Sequence, residues 1–183
     1  MHIGRIYYPV LSLGYGKRIG IWTCGCNKNC FHCTSPEFKD THAGKWIEVD
    51  EIMENVSSIM NEADGVTISG GEPFDQPAEL RFLIATLLES GIDDILVYSG
   101  YTIEELRLLK DADVDYCLTH IAALIDGRYD EALNDKKGIR GSSNQRVHVY
   151  KYSERYAEST SCERKQQCVQ LKDRIVFIGI PKE

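Results

Sequence analysis

The chain has 183 residues, of which 43% are hydrophobic and 27% charged, and its formal net charge at pH 7 is -7. No apolar run approaches the roughly 20 residues that a membrane-spanning helix needs, and the acidic balance disfavours generic binding to nucleic acid or to an anionic membrane. The first ten residues, MHIGRIYYPV, lack the basic segment and the apolar stretch of a signal peptide. We therefore expect a cytoplasmic protein whose partners are small molecules or another protein.

The first predicted strand runs from Arg18 to Thr23, where the sequence RIGIWT alternates and is rich in β-forming residues. Four of the seven cysteines of the chain follow it within ten residues, so the strand delivers a cysteine loop at its end. In the reducing cytoplasm, clustered cysteines are more often metal ligands or catalysts than disulfides.

Two helices and a strand are predicted next. Residues 49 to 63 carry apolar side chains at helical spacing, which indicates a helix that faces the core. A short apolar strand over residues 65 to 69 follows it. We expect Asp75 to cap the second helix, with Pro77 in its first turn and Gly91 at its C-terminal end.

The same strand and helix pattern then repeats. Residues 94 to 99 predict a strand, and Thr102 and Glu105 have the spacing of a capping box that begins a third helix. Residues 122 to 126 predict a fourth strand that ends before a glycine.

Alternation of strands and helices indicates parallel pairing through right-handed crossovers, which is typical of the α/β class. A complete eight-unit barrel takes about 250 residues, so this chain has room for about five or six units. We predict an incomplete TIM-type barrel, or a strongly curved open sheet, with parallel strands, outer helices and one uncovered side. We expect a core over residues 1 to 150 and a C-terminal extension over residues 151 to 183 that packs on the same domain.

Three of the clustered cysteines, Cys26, Cys30 and Cys33, have the spacing C-x3-C-x2-C on a loop so short that their thiols must point into one small volume. A cubane of four irons is usually held by four cysteines, so three ligands would leave one iron free to bind another molecule. An open coordination position is what separates catalytic from structural metal centres. The alternative is a zinc knot with Cys24 as its fourth ligand, although zinc sites usually take two separated cysteine pairs.

The C-x3-C-x2-C spacing, with the aromatic-type residue His32 before the last cysteine, resembles the signature of the radical S-adenosylmethionine superfamily. The resemblance implies that Cys26, Cys30 and Cys33 hold a 4Fe-4S cluster, that S-adenosylmethionine chelates the free iron, and that His32 lies beside its adenine. Cys24 matches no ligand position of the signature, and we interpret it as a small core residue at the strand end.

The segment Ser69-Gly-Gly-Glu-Pro73 follows the next strand, at the edge where α/β folds keep their ligands. Paired glycines allow a ligand to approach the backbone closely. In the superfamily a Gly-Gly-Glu-Pro loop at this place binds the amino group of S-adenosylmethionine. The resemblance therefore implies that the cofactor contacts Ser69, Gly70, Gly71, Glu72 and Pro73.

Further segments resemble, in order, those of the activating proteins of anaerobic ribonucleotide reductase, a family of glycyl radical enzyme activases. They are YPV at 8–10, GxGxR at 14–18, VYSGY at 97–101, LIDG at 124–127 and RGSSNQ at 140–145, and the resemblance runs from about residue 4 to 150. It implies an oxidoreductase that cleaves S-adenosylmethionine and abstracts a hydrogen atom from a glycine of a partner enzyme, here anaerobic ribonucleoside-triphosphate reductase. A flavodoxin-like or ferredoxin-like protein would supply the electron.

A hydrogen-atom transfer needs no acid or base, so no catalytic side chain is expected beyond the cluster and the cofactor. Two alternatives remain. One is a small radical S-adenosylmethionine enzyme that acts on a free metabolite or on another peptide. The other is a non-enzymatic zinc-binding module.

Strand ends supply the remaining candidate cofactor contacts. Ser99 and Gly100 close the third strand and Asp126 closes the fourth, so each is a candidate contact for the methionine or ribose end of the cofactor. Asp126 is explained equally well as a carboxylate that caps a loop. Asn144 and Gln145, in a polar turn, are candidate contacts of the cofactor or the partner.

The extension is strongly polar up to residue 172, and its Cys162 and Cys168 are too few to hold a second cluster alone. The residues between them, ERKQQ, have the character of a solvated helix face. Residues 174 to 181, RIVFIGIP, predict one more strand that covers the sheet edge or recognises the partner.

Overall fold

A computed structural model describes residues 1 to 171 and 174 to 181, so residues 172, 173, 182 and 183 of the predicted extension lie outside the described part. Nine strands and five α-helices lie within the described part. In chain order they are β1 (His2–Val10), β2 (Arg18–Thr23), β3 (Lys45–Trp46), α1 (Val49–Val56), β4 (Gly65–Gly70), α2 (Pro77–Glu89), β5 (Ile95–Tyr98), α3 (Ile103–Leu108), α4 (Ala112–His120), β6 (Ala123–Asp126), β7 (Arg146–Val149), α5 (Ser153–Ser161), β8 (Gln167–Gln170) and β9 (Ile175–Ile178).

The main sheet has seven strands in the order β3-β1-β2-β4-β5-β6-β7. Its centre, β2-β4-β5-β6, is parallel, whereas β1, β3 and β7 pair antiparallel with their neighbours. The predicted α/β class is confirmed, with four parallel strands where about five or six units were expected. The loop over residues 11 to 17 explains part of the difference, because a parallel crossover takes about a dozen residues.

Helices α1 to α4 cover one face of the sheet. Alternate side chains of the central strands, such as Ile19, Ile68 and Val97, point to this face and are fully buried with Leu83 and Leu106 of the helices. Period-2 alternation of the strands and 3.6-residue periodicity of the helices together produce this core.

The opposite face of the sheet is covered by the described part of the extension. Tyr156 of α5 packs with Leu96 and Ile125, while Val169 and Ile178 of the β8–β9 hairpin pack in one cluster with Trp22. The prediction of an uncovered side is therefore wrong. Apolar side chains on the inner face of an open sheet must be buried by other elements, and the extension does this.

Several local predictions are confirmed and several are corrected. Strand β2 has the predicted bounds, and Thr102 and Glu105 form the predicted capping box. Helix α1 ends at Val56, before residue 63, because Ser57 turns its hydroxyl back to the Glu54 carbonyl.

Three other predictions differ from the structure. Asp75 does not cap α2, whose N-cap is Gln76, because Asp75 belongs to a separate short 3-10 turn. The residues between Cys162 and Cys168 are not helical, since α5 ends at Ser161. Strand β9 confirms the predicted last strand, but it pairs with β8 in a separate two-stranded sheet and not with the edge of the main sheet.

A buried ion pair joins the extension to the sheet at the start of β2. The Arg18 guanidinium lies 3.1 Å from the Asp94 carboxylate, and their side chains are 0% and 4% exposed. The Tyr156 hydroxyl donates to the same carboxylate at 2.6 Å. Arg18 also donates to the Thr67 hydroxyl at 2.6 Å and to the Val66 carbonyl at 2.7 Å. Both charges are thus compensated inside the protein.

We expect Arg18→Leu to lower the free energy of unfolding by about 3 to 5 kcal/mol, because the Asp94 carboxylate loses its buried cation and keeps the half-exposed Arg155 guanidinium, which lies farther away at 3.6 Å. Urea denaturation monitored by circular dichroism measures the loss. The matched control is Arg81→Ala, which breaks the exposed pair of Arg81 with Asp113 and should cost less than about 1 kcal/mol. Equal losses in the two variants would contradict the role given to Arg18.

Candidate metal and cofactor site

The cysteine loop is closed by backbone hydrogen bonds between its two ends. After β2, the N–H groups of Gly25 and Cys26 donate to the carbonyls of Phe38 and Lys39, each at 2.9 Å. The Cys24 N–H donates to the carbonyl of His2 at 2.9 Å, which fixes the start of the loop to β1. The three spaced cysteines lie within this closed loop and are all half-buried.

The glycine pair after β4 packs its backbone directly against the start of the cysteine loop. Gly71 N–H donates to the Thr23 carbonyl at 2.7 Å, and Glu72 N–H donates to the Gly25 carbonyl at 2.8 Å. A Cβ atom on Gly71 would clash with the Gly25 carbonyl oxygen, and Gly70 has a φ of +108°. Only glycine fits both positions, so the pair is required by the contact between the two loops.

Glu72 joins the loop after β4 to the loop after β5. Its carboxylate is fully buried and accepts hydrogen bonds from the Ser99 hydroxyl at 2.9 Å and from the Gly100 N–H at 2.7 Å. Phe74 N–H donates to it at 3.1 Å. Burial raises the pKa of Glu72 to about 7, while these hydrogen bonds oppose the shift. The carboxylate therefore holds the strand-end loops together.

One cavity at the carboxyl ends of the parallel strands, here called the site cavity, collects most of the predicted site residues. It is lined by Cys26, Cys30, Cys33, Ser69, Gly70, Gly71, Glu72, Ser99 and Gly100. The sequence did not single out several other lining residues, among them Lys28, Lys39, Tyr98 and Tyr129. The position of Tyr98 could have been predicted, because side chains two residues apart in a strand point to the same face. Tyr98 lies two residues after the inward-facing Leu96, near the end of the strand.

Four predicted residues do not line the site cavity. Pro73 is buried and begins a 3-10 turn. His32 is exposed, stacks on Phe31 with ring centroids 4.0 Å apart, and has its Nδ1 2.6 Å from the Glu131 carboxylate. Asn144 is also exposed and donates to the Arg128 carbonyl at 2.8 Å.

The fourth of these residues, Asp126, is buried beside an arginine and a helix start. Its carboxylate accepts from the guanidinium of Arg146 at 2.5 Å and from the N–H of Ile103, the first residue of α3, at 2.7 Å. Burial alone would raise the pKa of Asp126, but these two donors hold it below its usual value. The structure thus agrees with the alternative given for Asp126, a carboxylate that caps a local element.

Cys24 lies outside the site cavity. Its side chain is 1% exposed and packs in one cluster with Trp22 and Phe38. Its sulfur occupies the space beside Gly4 and Gly44, where an added Cβ atom at either glycine would meet it at 2.7 Å. The interpretation of Cys24 as a small core residue is confirmed, and a zinc knot that uses it as a fourth ligand does not fit.

Thiols are the ligands that hold iron-sulfur clusters in proteins. In the described ranges, 1 to 171 and 174 to 181, no three His, Cys, Asp or Glu side chains converge closely enough to hold one metal ion. A cubane differs, since each thiolate binds a separate iron. Burial raises the pKa of the Cys26 and Cys33 thiols, so the positive charge of iron is what would hold them as thiolates.

A family model described as a 4Fe-4S single cluster domain matches residues 12 to 148, and the chain belongs to this family. The chain is 27% identical over 151 residues to the anaerobic ribonucleoside-triphosphate reductase-activating protein of Enterobacteria phage T4. The aligned region covers 80% of this chain and 93% of the phage protein.

The pyruvate formate-lyase-activating enzyme of Staphylococcus aureus is 25% identical over 150 residues, which covers 79% of this chain but only 59% of that enzyme. The family and these similarities confirm the predicted resemblance to glycyl radical enzyme activases. They imply a radical S-adenosylmethionine oxidoreductase with a 4Fe-4S cluster and S-adenosylmethionine as its cofactors. Within the described residues, no helix has the length and apolar character needed to cross a membrane.

The raised pKa of Glu72 predicts a pH-dependent stability. The folded chain keeps the Glu72 proton up to about pH 7, whereas the unfolded chain loses it near pH 4.5. Protons bound by the folded state stabilise it at low pH, so the contribution of Glu72 is lost as pH rises between these values. We expect the free energy of unfolding of the wild type, minus that of Glu72→Gln, to fall by about 2 to 3 kcal/mol from pH 5 to pH 8.

Urea denaturation of the reduced apo-protein at the two pH values measures this difference. Glu104→Gln is the control, because the bond of Glu104 to Arg146 lowers its pKa from 4.5 to about 2, and both values lie below pH 5. Its difference from the wild type should be the same at both pH values. A pH-independent difference for Glu72→Gln would contradict the prediction.

Proposed function

We propose that this chain is an activating enzyme of a glycyl radical enzyme, and that its protein substrate is anaerobic ribonucleoside-triphosphate reductase. The observation that carries the proposal is the site cavity, where three spaced cysteines face the glycine-built ends of β4 and β5. The similarity to the phage activating protein, along 93% of that protein's length, supports the choice of partner.

In this proposal Cys26, Cys30 and Cys33 ligate three irons of the cluster and leave the fourth iron for S-adenosylmethionine. The cluster and S-adenosylmethionine held by these residues would supply a 5'-deoxyadenosyl radical by one-electron reductive cleavage, with methionine as the other product, for abstraction of a hydrogen atom from the glycine Cα. A flavodoxin-like or ferredoxin-like protein is the proposed source of that electron.

The residues of the chain bind and orient the cofactor. Backbone groups of Ser69, Gly70 and Gly71 are the proposed contacts of its methionine end, since they line the site cavity without large side chains. The proposed role of Glu72 is indirect, because its carboxylate already bonds to Ser99 and Gly100 and holds both loops in register. We assign no acid or base, because hydrogen-atom transfer needs only positioning and exclusion of water.

Two predicted residues have a proposed place outside the site cavity. Asn144 lines a surface pocket with Phe31, Arg128 and Glu131, and His32, next to Phe31 in the chain, has its Nδ1 2.6 Å from the Glu131 carboxylate. We propose that His32 turns toward the adenine when the cofactor binds, which requires it to leave Glu131. Asn144 is the proposed partner contact beside it.

We also propose that the sheet is an incomplete TIM-type barrel. Four parallel strands with helices on one face, and a cavity at their carboxyl ends, support this proposal. Residues 1 to 150 would then be the radical S-adenosylmethionine core. Residues 151 to 183 would be an extension of the same domain, supported by the bond of Tyr156 to Asp94.

The proposal is tested by anaerobic incubation of the reconstituted chain with S-adenosylmethionine, dithionite and the anaerobic ribonucleoside-triphosphate reductase of the same organism. We expect 5'-deoxyadenosine by chromatography and a glycyl radical by electron paramagnetic resonance. Formation of 5'-deoxyadenosine without a glycyl signal would point to a different substrate. A colourless protein with one zinc and no iron would contradict the whole assignment.

The cysteine roles give a separate prediction. Each of Cys26→Ala, Cys30→Ala and Cys33→Ala should lose most of the visible iron-sulfur absorbance after reconstitution, because a cluster with two protein ligands is not retained. Cys24→Ala is the matched control. It shortens a buried side chain of the same loop and should keep the iron content of the wild type. Loss of iron in Cys24→Ala alone would reverse the assignment.

A further inference from the structure

A second cavity, here called the inner cavity, adjoins the site cavity on the face of the sheet that the extension covers. The two cavities share six lining residues, Thr34, Ser35, Ser69, Tyr98, Tyr129 and Gln145. A molecule in the inner cavity would therefore reach the cluster site without crossing the core. The proposed binding of the cofactor in the site cavity assigns no function to the inner cavity.

The far end of the inner cavity is built by the β8–β9 hairpin. Phe177, Ile178, Gly179 and Ile180 line it together with Arg5 and other residues of the main sheet and the cysteine loop. Ile178 is 1% exposed, whereas Phe177 is 64% exposed. Phe177 thus stands where the inner cavity meets the surface, and Ile178 anchors the strand beneath it.

The hairpin is held in place by polar bonds at the end where β8 begins and β9 finishes. The Ser12 hydroxyl donates to the Ile178 carbonyl at 2.9 Å, and Gln167 bonds to the backbone of Pro9 and Leu11. The fully buried Arg164 donates to the Pro181 carbonyl at 2.9 Å. So many bonds to separate segments indicate a fixed wall and not a mobile lid.

We propose that the inner cavity is the passage by which the glycine-bearing segment of the partner enzyme reaches the cluster site, and that Phe177 at its mouth determines which partner enters. This inference rests on the proposed function. Continuity with the site cavity through the six shared lining residues supports the passage. The family match ends at residue 148, so the β8–β9 hairpin lies outside the region that family members share. A segment of this kind can determine which partner enzyme binds.

The test compares Phe177→Ala with Ile175→Ala, which removes an equally exposed side chain from the same strand, where it does not line the inner cavity. Reconstituted full-length variants are assayed with the anaerobic ribonucleoside-triphosphate reductase of the same organism. We expect Phe177→Ala to raise the KM for the reductase at least about fivefold, as loss of a central aromatic contact does, with an unchanged KM for Ile175→Ala. Uncoupled 5'-deoxyadenosine formation without the reductase should match the wild type in both.

A second variant, Phe177→Glu, places a charge at the mouth without leaving a gap and should raise the KM further. An unchanged KM in both Phe177 variants overturns the inference, as does an equal rise in Ile175→Ala. These results would leave the proposed function intact if the wild type forms the glycyl radical. A wild type that forms no 5'-deoxyadenosine, or forms it without radicalising the reductase, overturns the proposed function and this inference together.

Discussion

The buried carboxylate of Glu72 is the contact on which the geometry of the site depends. A carboxyl group without water is stable only if its hydrogen bonds are made. Here one donor, Phe74 N–H, follows Glu72 in the chain, and two others, at Ser99 and Gly100, belong to the loop after β5. The N–H group of Glu72 bonds to Gly25 in the cysteine loop. One residue therefore sets the separation between three chain segments. Truncating its side chain would leave buried donors unpaired on both sides of the site.

The rest of the fold follows from how an open sheet buries two apolar faces. Helices α1 to α4 cover only one of them. In a closed barrel the inner face is filled by its own strands, but four parallel strands cannot close. Here α5 and the β8–β9 hairpin fill that space, and the Arg18, Asp94 and Tyr156 network joins them to the sheet. The extension is therefore part of the core and also borders the path to the site.

Local signals in the sequence predicted the parts of the site that depend on local geometry. The spacing of Cys26, Cys30 and Cys33 and the glycine pair after β4 were sufficient to predict that these residues lie close together. Short loops and close backbone contacts leave few other arrangements. The capping box of α3 was predictable for the same reason. Asp126 could not be resolved from sequence, because its role depends on Arg146, which lies twenty positions further along the chain. The covering of the inner face was missed because it depends on tertiary packing of a polar segment.

Backbone groups and side chains have different proposed roles in recognition by this protein: the first bind the cofactor, and the second distinguish between protein partners. In the proposed function, the methionine end of the cofactor meets backbone groups of Ser69, Gly70 and Gly71. A surface of that kind binds one common cofactor well but distinguishes poorly between protein partners, since discrimination requires contacts that differ between them. The side chains available for discrimination lie at the mouth of the inner cavity, and Phe177 belongs to a hairpin beyond the family match. Partner choice can therefore change in this extension while the cluster chemistry stays fixed by the strand-end loops.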